Sequence, residues 1–481
     1  MEDTKVDFGL RNFLKELGGI AGGTALLATA PWLSGCTPAK LKETAGEKVR
    51  IALIGTGSRG QFHLHNLKAI PAARVTVLCD TYEPNLRAAA DIVGAGQGTR
   101  TAAGTRTAAG AGQGTRTAAN SGANPRTSTG ADPRTPSGVK TCSDWRAVVD
   151  DPDVDAVIIA TPLHLHAQMT KAALQAGKHV FCEKAMALTE DDCLDVYRTY
   201  TAGDRVLFYG MQRLFDPKYL EAIRLIKEGK IGQIVGMRCP WFRNADWRRS
   251  VPSPELERHI NWRLYREYSG GLMTELGSHQ LEVCNWAVGR MPVQVTGMGD
   301  IVFWRDGREV YDSVNVTYRY SNGCKICYES LIANKYNGME EQILGNKGTL
   351  DLAKGVYWLE EDNEISGMRA LLGQVRDGVF SAVPAAGPSW RPELRSRYVP
   401  HAVMKGNYGV AAGESMTGEA GDGSDVLLEA FCQACVTGEK AADIVEEAYC
   451  STLLCLLGNR AMETGRTLEF PAEYVIPYMK F

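Results

Sequence analysis

The fold of this protein is decided by residues 49–80, which read VRIALIGTGSRGQFHLHNLKAIPAARVTVLCD. The apolar run Val49–Ile54 has the length and composition of a buried strand. It leads directly into the glycine-rich segment Gly55-Thr56-Gly57-Ser58-Arg59-Gly60, and a helix is predicted over 61–70. A second apolar strand, over 74–78, ends at Cys79-Asp80. Strand, glycine loop, helix, strand and acid in this order predict the start of a doubly wound α/β domain.

Each glycine of this loop has a physical role in binding a dinucleotide or in folding the loop. Gly55 allows a tight turn, Gly57 lets a pyrophosphate approach the backbone, and Gly60 allows the helix to pack on the strand. The free N–H groups and the dipole at the helix N-terminus favour an anion. Asp80 is placed to accept hydrogen bonds from ribose hydroxyls, and its charge would repel a 2′-phosphate. The segment therefore predicts NAD, with NADP less favoured and supported only by the charge of Arg59.

Further polar groups follow the next predicted strands. Residues 155–160, 178–182 and 206–211 are predicted strands, and Thr161-Pro162-Leu163-His164-Leu165-His166 and Glu183-Lys184-Ala185 follow the first two. Ligands of open parallel sheets gather at the carboxyl ends of the strands. The predicted cofactor-binding residues are Gly55, Gly57, Ser58, Arg59, Gly60, Asp80, Thr161, Pro162, His164, His166, Glu183 and Lys184.

These three motifs together resemble those of the Gfo/Idh/MocA family, which is named for glucose–fructose oxidoreductase, inositol dehydrogenase and rhizopine catabolism. The second is similar to the family's T-P-x-x-x-H, and the third to its E-K-P, with Ala185 in place of proline. The resemblance runs from residue 49 to about residue 465, apart from one insertion. It implies an α/β fold in which an N-terminal Rossmann parallel sheet is followed by a C-terminal α+β domain with an open, mostly antiparallel sheet. It also implies a homo-oligomer.

The predicted domain organisation follows composition. The Rossmann domain covers 49–211, the substrate and dimerisation domain 212–465, and a C-terminal tail 466–481. Residues 94–138 repeat the octet GQGTRTAA and contain almost no large apolar side chains, which predicts a disordered insertion. Residues 366–420, rich in Gly, Pro and Arg, are predicted to form a long loop.

The amino terminus resembles an export signal. The apolar run 18–33 is too short to span a bilayer permanently, and Leu33-Ser34-Gly35-Cys36 resembles a bacterial lipobox. Arg11-Asn12-Phe13-Leu14-Lys15 resembles a twin-arginine signal in which Leu10 replaces the first arginine. Residues 1–36 are predicted to be the signal and 37–48 a linker. The expected product is an exported, periplasmic or membrane-anchored lipoprotein, attached to the membrane only through Cys36.

In the second domain, Glu275-Leu276-Gly277-Ser278-His279 resembles the family's D-x-x-x-H, with Glu for Asp. On an α-helix the i, i+4 spacing would place both side chains on one face, where the carboxylate orients the imidazole. Oxidation of an alcohol needs a base for the hydroxyl proton. The resemblance implies that His279 and Lys184 are the candidate bases, with Glu275 as the partner of His279.

Segment 241–267 mixes aromatic side chains with Arg, Asn and Asp, as carbohydrate sites do. A structural loop with extended arginines is an equally open interpretation. The predicted substrate contacts are Arg213, Trp247, Trp262, Arg263 and Tyr265.

Composition narrows the remaining classes of function. The net charge of −3 gives no basic face for nucleic acid, and the two C-x-x-C pairs lie too far apart for a compact zinc site, so no metal is predicted. The sequence favours an NAD-dependent oxidoreductase acting on a hydroxyl of a sugar, glycoside or polyol. The alternatives are a glycosidase that uses NAD for transient oxidation and elimination, similar to glycoside hydrolase family 109, and a non-catalytic sensor of sugar or cofactor.

Overall fold

A computed structural model describes residues 48–94, 138–360, 413–416 and 421–481. The predicted signal and lipobox lie outside these ranges, as do nearly all of the predicted linker, the insertion and the long loop. The chain forms two compact units. The first comprises the chain up to Gln212, residues 267–269 and Ser424–Leu453; the second comprises Arg213–Arg266, Gly270–Gly423 and Leu454–Phe481.

The first unit is built on a six-stranded sheet in the order β3-β2-β1-β4-β5-β6, and every pairing in it is parallel. Its strands are β1 (Val49–Ile54), β2 (Ala73–Cys79), β3 (Lys140–Cys142), β4 (Ala156–Ile159), β5 (His179–Cys182) and β6 (Leu207–Tyr209). The strand order reverses between β1 and β4. At such a switch point the loops diverge and leave a crevice beyond the carboxyl ends of the strands. The predicted Rossmann sheet is confirmed.

The helices of the first unit cover this sheet. They are α1 (Ser58–Leu67), α2 (Glu83–Gly94), α3 (Trp145–Val149), α4 (His166–Gln175), α5 (Glu190–Ala202) and, from the end of the chain, α9 (Ser424–Thr437). The ring of Phe431 on α9 lies 5.6 Å from that of Phe181 on β5 and 5.7 Å from that of Phe208 on β6. The sequence assigned 212–465 to a single second domain, whereas residues 267–269 and 424–453 group with the first unit. The apolar face of α9 is buried on the parallel sheet, which its sequence alone does not reveal.

The second unit contains a ten-stranded sheet, in which the order is β15-β14-β13-β12-β7-β10-β9-β8-β16 and β11 pairs with β7. Its strands are β7 (Ile234–Asn244), β8 (Gln294–Asp300), β9 (Ser313–Arg319), β10 (Lys325–Leu331), β11 (Ala333–Met339), β12 (Gln342–Gly345), β13 (Gly348–Asp351), β14 (Val356–Leu359), β15 (Glu414–Ser415) and β16 (Leu468–Glu469). All pairings are antiparallel except that of β7 with β10. This confirms the predicted open, mostly antiparallel sheet.

Alternate residues of β9 and β10 are buried, so one face of this sheet is covered. The helices of this unit are α6 (Pro217–Lys227), α7 (Glu257–Ile260) and α8 (Ser278–Val288). The long helix α10 (Ala442–Thr464) is divided between the units, with its residues up to Leu453 in the first and those from Leu454 in the second. In the described ranges, no helix is long and apolar enough to cross a membrane.

Candidate active site

The glycine loop of the first unit joins β1 to α1. Gly55 has a φ of 87°, and a Cβ there would lie 2.6 Å from the carbonyl oxygen of Ala160. A Cβ on Gly60 would lie 2.1 Å from the carbonyl oxygen of Gly55. Gly57 differs, because the nearest atom to its added Cβ is Nδ2 of Asn85 at 3.6 Å. The fold itself therefore requires Gly55 and Gly60, whereas the space beside Gly57 is left open, as a bound pyrophosphate needs.

Asp80, directly after β2, braces this loop. Its Oδ2 accepts hydrogen bonds from the backbone N–H of Thr56 at 2.7 Å and from Oγ1 of Thr56 at 3.0 Å. Its Oδ1 accepts from the backbone N–H of Tyr82 at 2.8 Å. An ionised carboxylate has about four acceptor sites, so these bonds leave capacity for a ribose hydroxyl. The sequence did not anticipate the bracing role of Asp80.

Glu183, directly after β5, is paired with groups of the first helix. Its Oε1 accepts from Nε of Arg59 at 2.6 Å and lies 2.7 Å from Nε2 of His63. Burial alone would raise the pKa of Glu183, but the charges and hydrogen bonds of Arg59 and His63 outweigh it and hold the pKa well below its usual range. Two residues that the sequence offered separately as cofactor contacts, Arg59 and Glu183, thus contact each other and fix the glycine loop to the end of β5.

His166 joins the ends of β4 and β5. The ring is 2% exposed, with Nδ1 2.8 Å from the carbonyl oxygen of Ala185 and Nε2 3.0 Å from that of Thr161. Carbonyl oxygens only accept, so a ring nitrogen that carries a proton donates to the carbonyl oxygen that it faces. The bond to Ala185 fixes the chain next to Lys184, and the Lys184–Ala185 peptide bond is cis. His166 therefore positions Lys184.

His164 contributes a buried polar atom at the same edge of the sheet. Its ring lies 4.7 Å from that of Tyr268, a first-unit residue that the sequence analysis missed. Burial lowers the pKa of His164, the nearby His166 lowers it further, and Glu267 opposes both. Nδ1 of His164 is buried and has no hydrogen-bond partner among the residues that the structure describes. An orphaned ring nitrogen at the edge of the sheet where the glycine loop also begins fits a dinucleotide.

In the second unit, a π-helical turn separates the predicted pair. The turn covers Met273–Gly277, and the α-helix α8 begins only at Ser278. Glu275 therefore lies in the π turn and His279 in the first turn of α8, so the same-face rule of a regular α-helix does not apply between them. The carboxylate of Glu275 accepts a hydrogen bond from Nε of Arg263 at 2.7 Å. The motif therefore lies across a π turn and the start of α8, not within a regular α-helix.

Arg213 holds the backbone of His279. Its Nη1 donates to the carbonyl oxygen of His279 at 3.1 Å and to Oε1 of Glu341 at 2.7 Å. Glu341, with no exposed surface, also accepts from the hydroxyl of Tyr219 at 2.7 Å. Burial raises the pKa of Glu341 against the lowering effect of the Arg213 charge. Arg213, 7% exposed, is thus placed to position His279 and does not present the exposed cation expected of a substrate contact.

Much of segment 241–267 is braced by internal ion pairs. Arg248 bonds to Glu257 and, at 3.1 Å, to Asp306. Glu257 also accepts from the hydroxyl of Tyr265 at 2.9 Å. Tyr265 is 7% exposed, so its burial and its bond to Glu257 favour a structural role for this predicted substrate contact. These contacts support the structural interpretation for this part of the segment.

The indole rings of the segment remain partly exposed. Trp262 carries the guanidinium of Arg263 4.3 Å from its ring, and Trp247 has a φ of 59°. Both stay candidates for stacking on a ligand. In the described ranges, no three His, Cys, Asp or Glu side chains converge as a metal site would require.

Two family models match this chain. One is described as the oxidoreductase family, NAD-binding Rossmann fold, and matches residues 91–211. The other, the GFO/IDH/MocA C-terminal domain, matches residues 219–351. The first range contains strands β3 to β6 of the parallel sheet, and the second contains strands β7 to β13 of the other sheet.

Curated relatives and solved structures agree with these matches. Levoglucosan dehydrogenase of Pseudarthrobacter phenanthrenivorans is 30% identical over 202 residues, which cover 38% of this chain and 50% of that protein. Inositol 2-dehydrogenase 2 of Saccharopolyspora erythraea is 32% identical over 33% of this chain and 42% of its own. The chain thus spans about half the length of the curated relatives that it matches.

A crystal structure of levoglucosan dehydrogenase in complex with NADH and L-sorbose has the same fold. It superposes with a TM-score of 0.60 at 19% identity, over 89% of this chain and all of the other. Rossmann sheet, glycine loop, second sheet and sequence matches lead to one conclusion: the chain belongs to the GFO/IDH/MocA family of oxidoreductases.

Proposed function

We propose that this protein is an NAD-dependent oxidoreductase that acts on a hydroxyl of a sugar, glycoside or polyol. The observation that carries the proposal is the glycine loop, whose open space at Gly57 lies beside the bracing carboxylate of Asp80. The relatives named above are dehydrogenases of levoglucosan and inositol, which supports a polyhydroxylated substrate.

The residues divide the chemistry between them. A bound NAD would supply the hydride acceptor for the carbon that bears the hydroxyl group. Lys184, positioned through His166, supplies a cation that stabilises a developing alkoxide. His279, positioned through Arg213, accepts the hydroxyl proton. Glu275 belongs to the same second-unit group, with Arg263 as its partner.

We also propose that NAD is preferred to NADP. Asp80 repels a 2′-phosphate, and Arg59, the nearby cation that could bind one, is already paired with Glu183. Titration of the protein with NAD and NADP by calorimetry tests this preference. Equal affinity for the two cofactors would contradict it.

The function is tested by purifying the full chain without added cofactor and measuring bound NAD by absorbance and mass spectrometry. Sugars and polyols are then screened for NAD reduction, with Lys184→Ala and His279→Ala expected to abolish turnover while NAD binding persists in His279→Ala. Arg238→Gln, which removes an exposed arginine of β7, is the matched control. Cleavage of aryl glycosides without added NAD would replace the proposal with the glycosidase alternative. Ligand binding without any turnover would replace it with the sensor.

We further propose that the protein is exported and anchored through lipid on Cys36, and that it forms a homo-oligomer. An exported enzyme has little free NAD available to it, so we propose that the cofactor is retained between turnovers. Incorporation of labelled palmitate into the wild type, and its loss in Cys36→Ala, tests the anchor. Light scattering of the detergent-free protein lacking residues 1–36 tests the oligomer, and a monomeric mass would contradict it.

A further inference from the structure

Most arginines around segment 241–266 of the second unit have a carboxylate partner. Arg248 bonds to Glu257 and Asp306, and Arg258 bonds to Glu309 at 3.0 Å. Such pairing is ordinary for arginines near a protein surface and calls for no ligand.

Arg243 and Arg249 differ from these arginines. Among the residues that the structure describes, no carboxylate lies within ion-pair distance of either guanidinium. Both side chains keep an exposed surface, yet partial burial lowers the pKa of each, and the neighbouring charge of Arg263 lowers that of Arg249 further. Cations that lose water without gaining an anion raise the free energy of the folded state. A ligand anion would restore the missing interaction.

Arg249 is held in place by a buried side chain. Asn261 is 2% exposed; its Oδ1 accepts from the backbone N–H of Arg249 at 2.7 Å, and its Nδ2 donates to the Arg249 carbonyl oxygen at 3.0 Å. The same Nδ2 donates to Glu257 at 3.0 Å, which ties the clamp to the ion pairs of the segment. The backbone that carries the Arg249 guanidinium is therefore fixed before any ligand arrives.

Contacts lead from Arg263 and from Arg243 toward the start of α8. Arg263, whose charge lowers the pKa of Arg249, bonds to Glu275 at 2.7 Å. Arg243 lies 5.2 Å from the ring of Trp241, which in turn lies 6.2 Å from the ring of His279. In the described part of the second unit, the carboxylate of Glu275, which pairs with Arg263, is the one ion-pair partner of these three arginines. Arg243 is thus linked through Trp241 to the residue proposed above to accept the proton.

We propose that Arg243 and Arg249 form a subsite for an oxyanion on the substrate, so that the substrate class is an acidic carbohydrate. The inference rests on the proposed function, and it narrows the substrate. A carboxylate, as in a uronic or aldonic acid, matches the planar fork of a guanidinium in two parallel hydrogen bonds. Sulfate and phosphate esters share this oxyanion chemistry and are distinguished below. The partly exposed face of Trp262 supplies the apolar surface for the C–H groups of the sugar.

The test is calorimetric titration of the full chain, loaded with NAD, against matched probes. The pairs are D-glucuronate with D-glucose, D-galacturonate with D-galactose and D-gluconate with D-glucitol; glucose 6-phosphate and glucose 6-sulfate provide the ester arms. In at least one pair the acid is expected to bind on the order of ten- to a hundredfold more tightly than the neutral sugar, as for hydrogen bonds to charged groups. Whichever of the carboxylate and ester arms binds most tightly identifies the source of the oxyanion.

Arg249→Gln is expected to remove most of this preference, and Arg243→Gln part of it, whereas the control Arg238→Gln retains it. Circular dichroism establishes that each variant is folded. The proposal is overturned if no acidic probe binds more tightly than its neutral partner, or if folded Arg249→Gln and Arg243→Gln both keep the full preference.

The outcome also separates this inference from the proposed function. Preferential binding of acidic sugars without any NAD reduction would contradict the proposed enzyme function and support the oxyanion subsite. Equal turnover of neutral and acidic sugars would do the reverse.

Discussion

Replacing Arg213 with methionine removes the cation from the buried group that holds the start of α8. Methionine keeps much of the volume, but among the described residues it leaves the fully buried carboxylate of Glu341 with the hydroxyl of Tyr219 as its one remaining partner. Breaking a buried ion pair from one side costs about 3–5 kcal/mol. The bond to the carbonyl oxygen of His279 is lost as well. We therefore expect Arg213→Met to destabilise the second unit by roughly 3–5 kcal/mol at about pH 8.

The destabilisation should depend on pH in a defined direction. Burial already raises the pKa of Glu341 in the wild type, and loss of the Arg213 charge raises it further. A carboxyl with a raised pKa favours the folded state while it is protonated, and this contribution is lost as the pH rises through the folded-state pKa. The deficit of Arg213→Met should therefore be smaller at about pH 5 than at about pH 8.

Urea denaturation followed by circular dichroism across this pH range measures the deficit. The double variant Arg213→Met/Glu341→Gln is the control, since the amide oxygen of the glutamine still accepts from Tyr219 and no charge is left buried. It should be more stable than Arg213→Met alone at about pH 8. A deficit for the single variant below about 1 kcal/mol, or a double variant no more stable than the single, would refute the reasoning.

Four further variants test contacts in the first unit. Gly57→Ala should remain folded, because its Cβ would lie 3.6 Å from the nearest described atom, and it should lose NAD affinity at least tenfold. Gly60→Ala should instead lower the melting temperature, because its Cβ would lie 2.1 Å from a carbonyl oxygen. Calorimetry and thermal melts compare the two variants, and normal NAD affinity in Gly57→Ala would argue against the pyrophosphate site. Glu183→Gln should be less stable than the wild type at neutral pH, and the difference in stability should shrink below about pH 4.5. The reason is that a carboxyl group with a lowered pKa gives stability that is lost as the pH falls. A deficit independent of pH would contradict the ion pairs with Arg59 and His63. Burial, reinforced by the charge of Asp443, raises the pKa of Glu446 to about 7. Glu446→Gln should therefore stabilise the protein at about pH 8 and not at about pH 5. Thermal melts at the two pH values measure the effect, and equal shifts in melting temperature would refute the prediction.

Local sequence predicted the first sheet well because its signals are local. The turn at Gly55 and the acid at the end of β2 are set by residues close together in the chain, and the parallel order follows from strand–helix alternation. The pairing of Arg59 with Glu183 was not predictable, because 124 residues separate them and either side chain could equally have contacted a ligand. The division of the chain was missed at α9 for the same kind of reason, since its apolar face does not say which sheet it covers.

Local sequence predicted the site residues of the second unit less well. The motif from Glu275 to His279 is visible in the sequence, but its i, i+4 geometry depended on a regular α-helix, and the chain forms a π turn there. Arg213 looked like a substrate contact because arginine is common in such sites. Its burial against Glu341, 128 residues away, gives it a positioning role.

By itself, the sequence determined that a dinucleotide loop follows the first strand, that a parallel sheet presents polar groups after β4 and β5, and that a second, mostly antiparallel sheet follows. These features rest on periodicity, glycine stereochemistry and short spacings, which act within one or two elements. Only the tertiary structure decided which charges neutralise one another, leaving Arg59 paired and Arg243 and Arg249 without a described carboxylate. The reason is physical: the free energy of a charge depends on its distance to other charges and to water, and both are set by packing between distant parts of the chain.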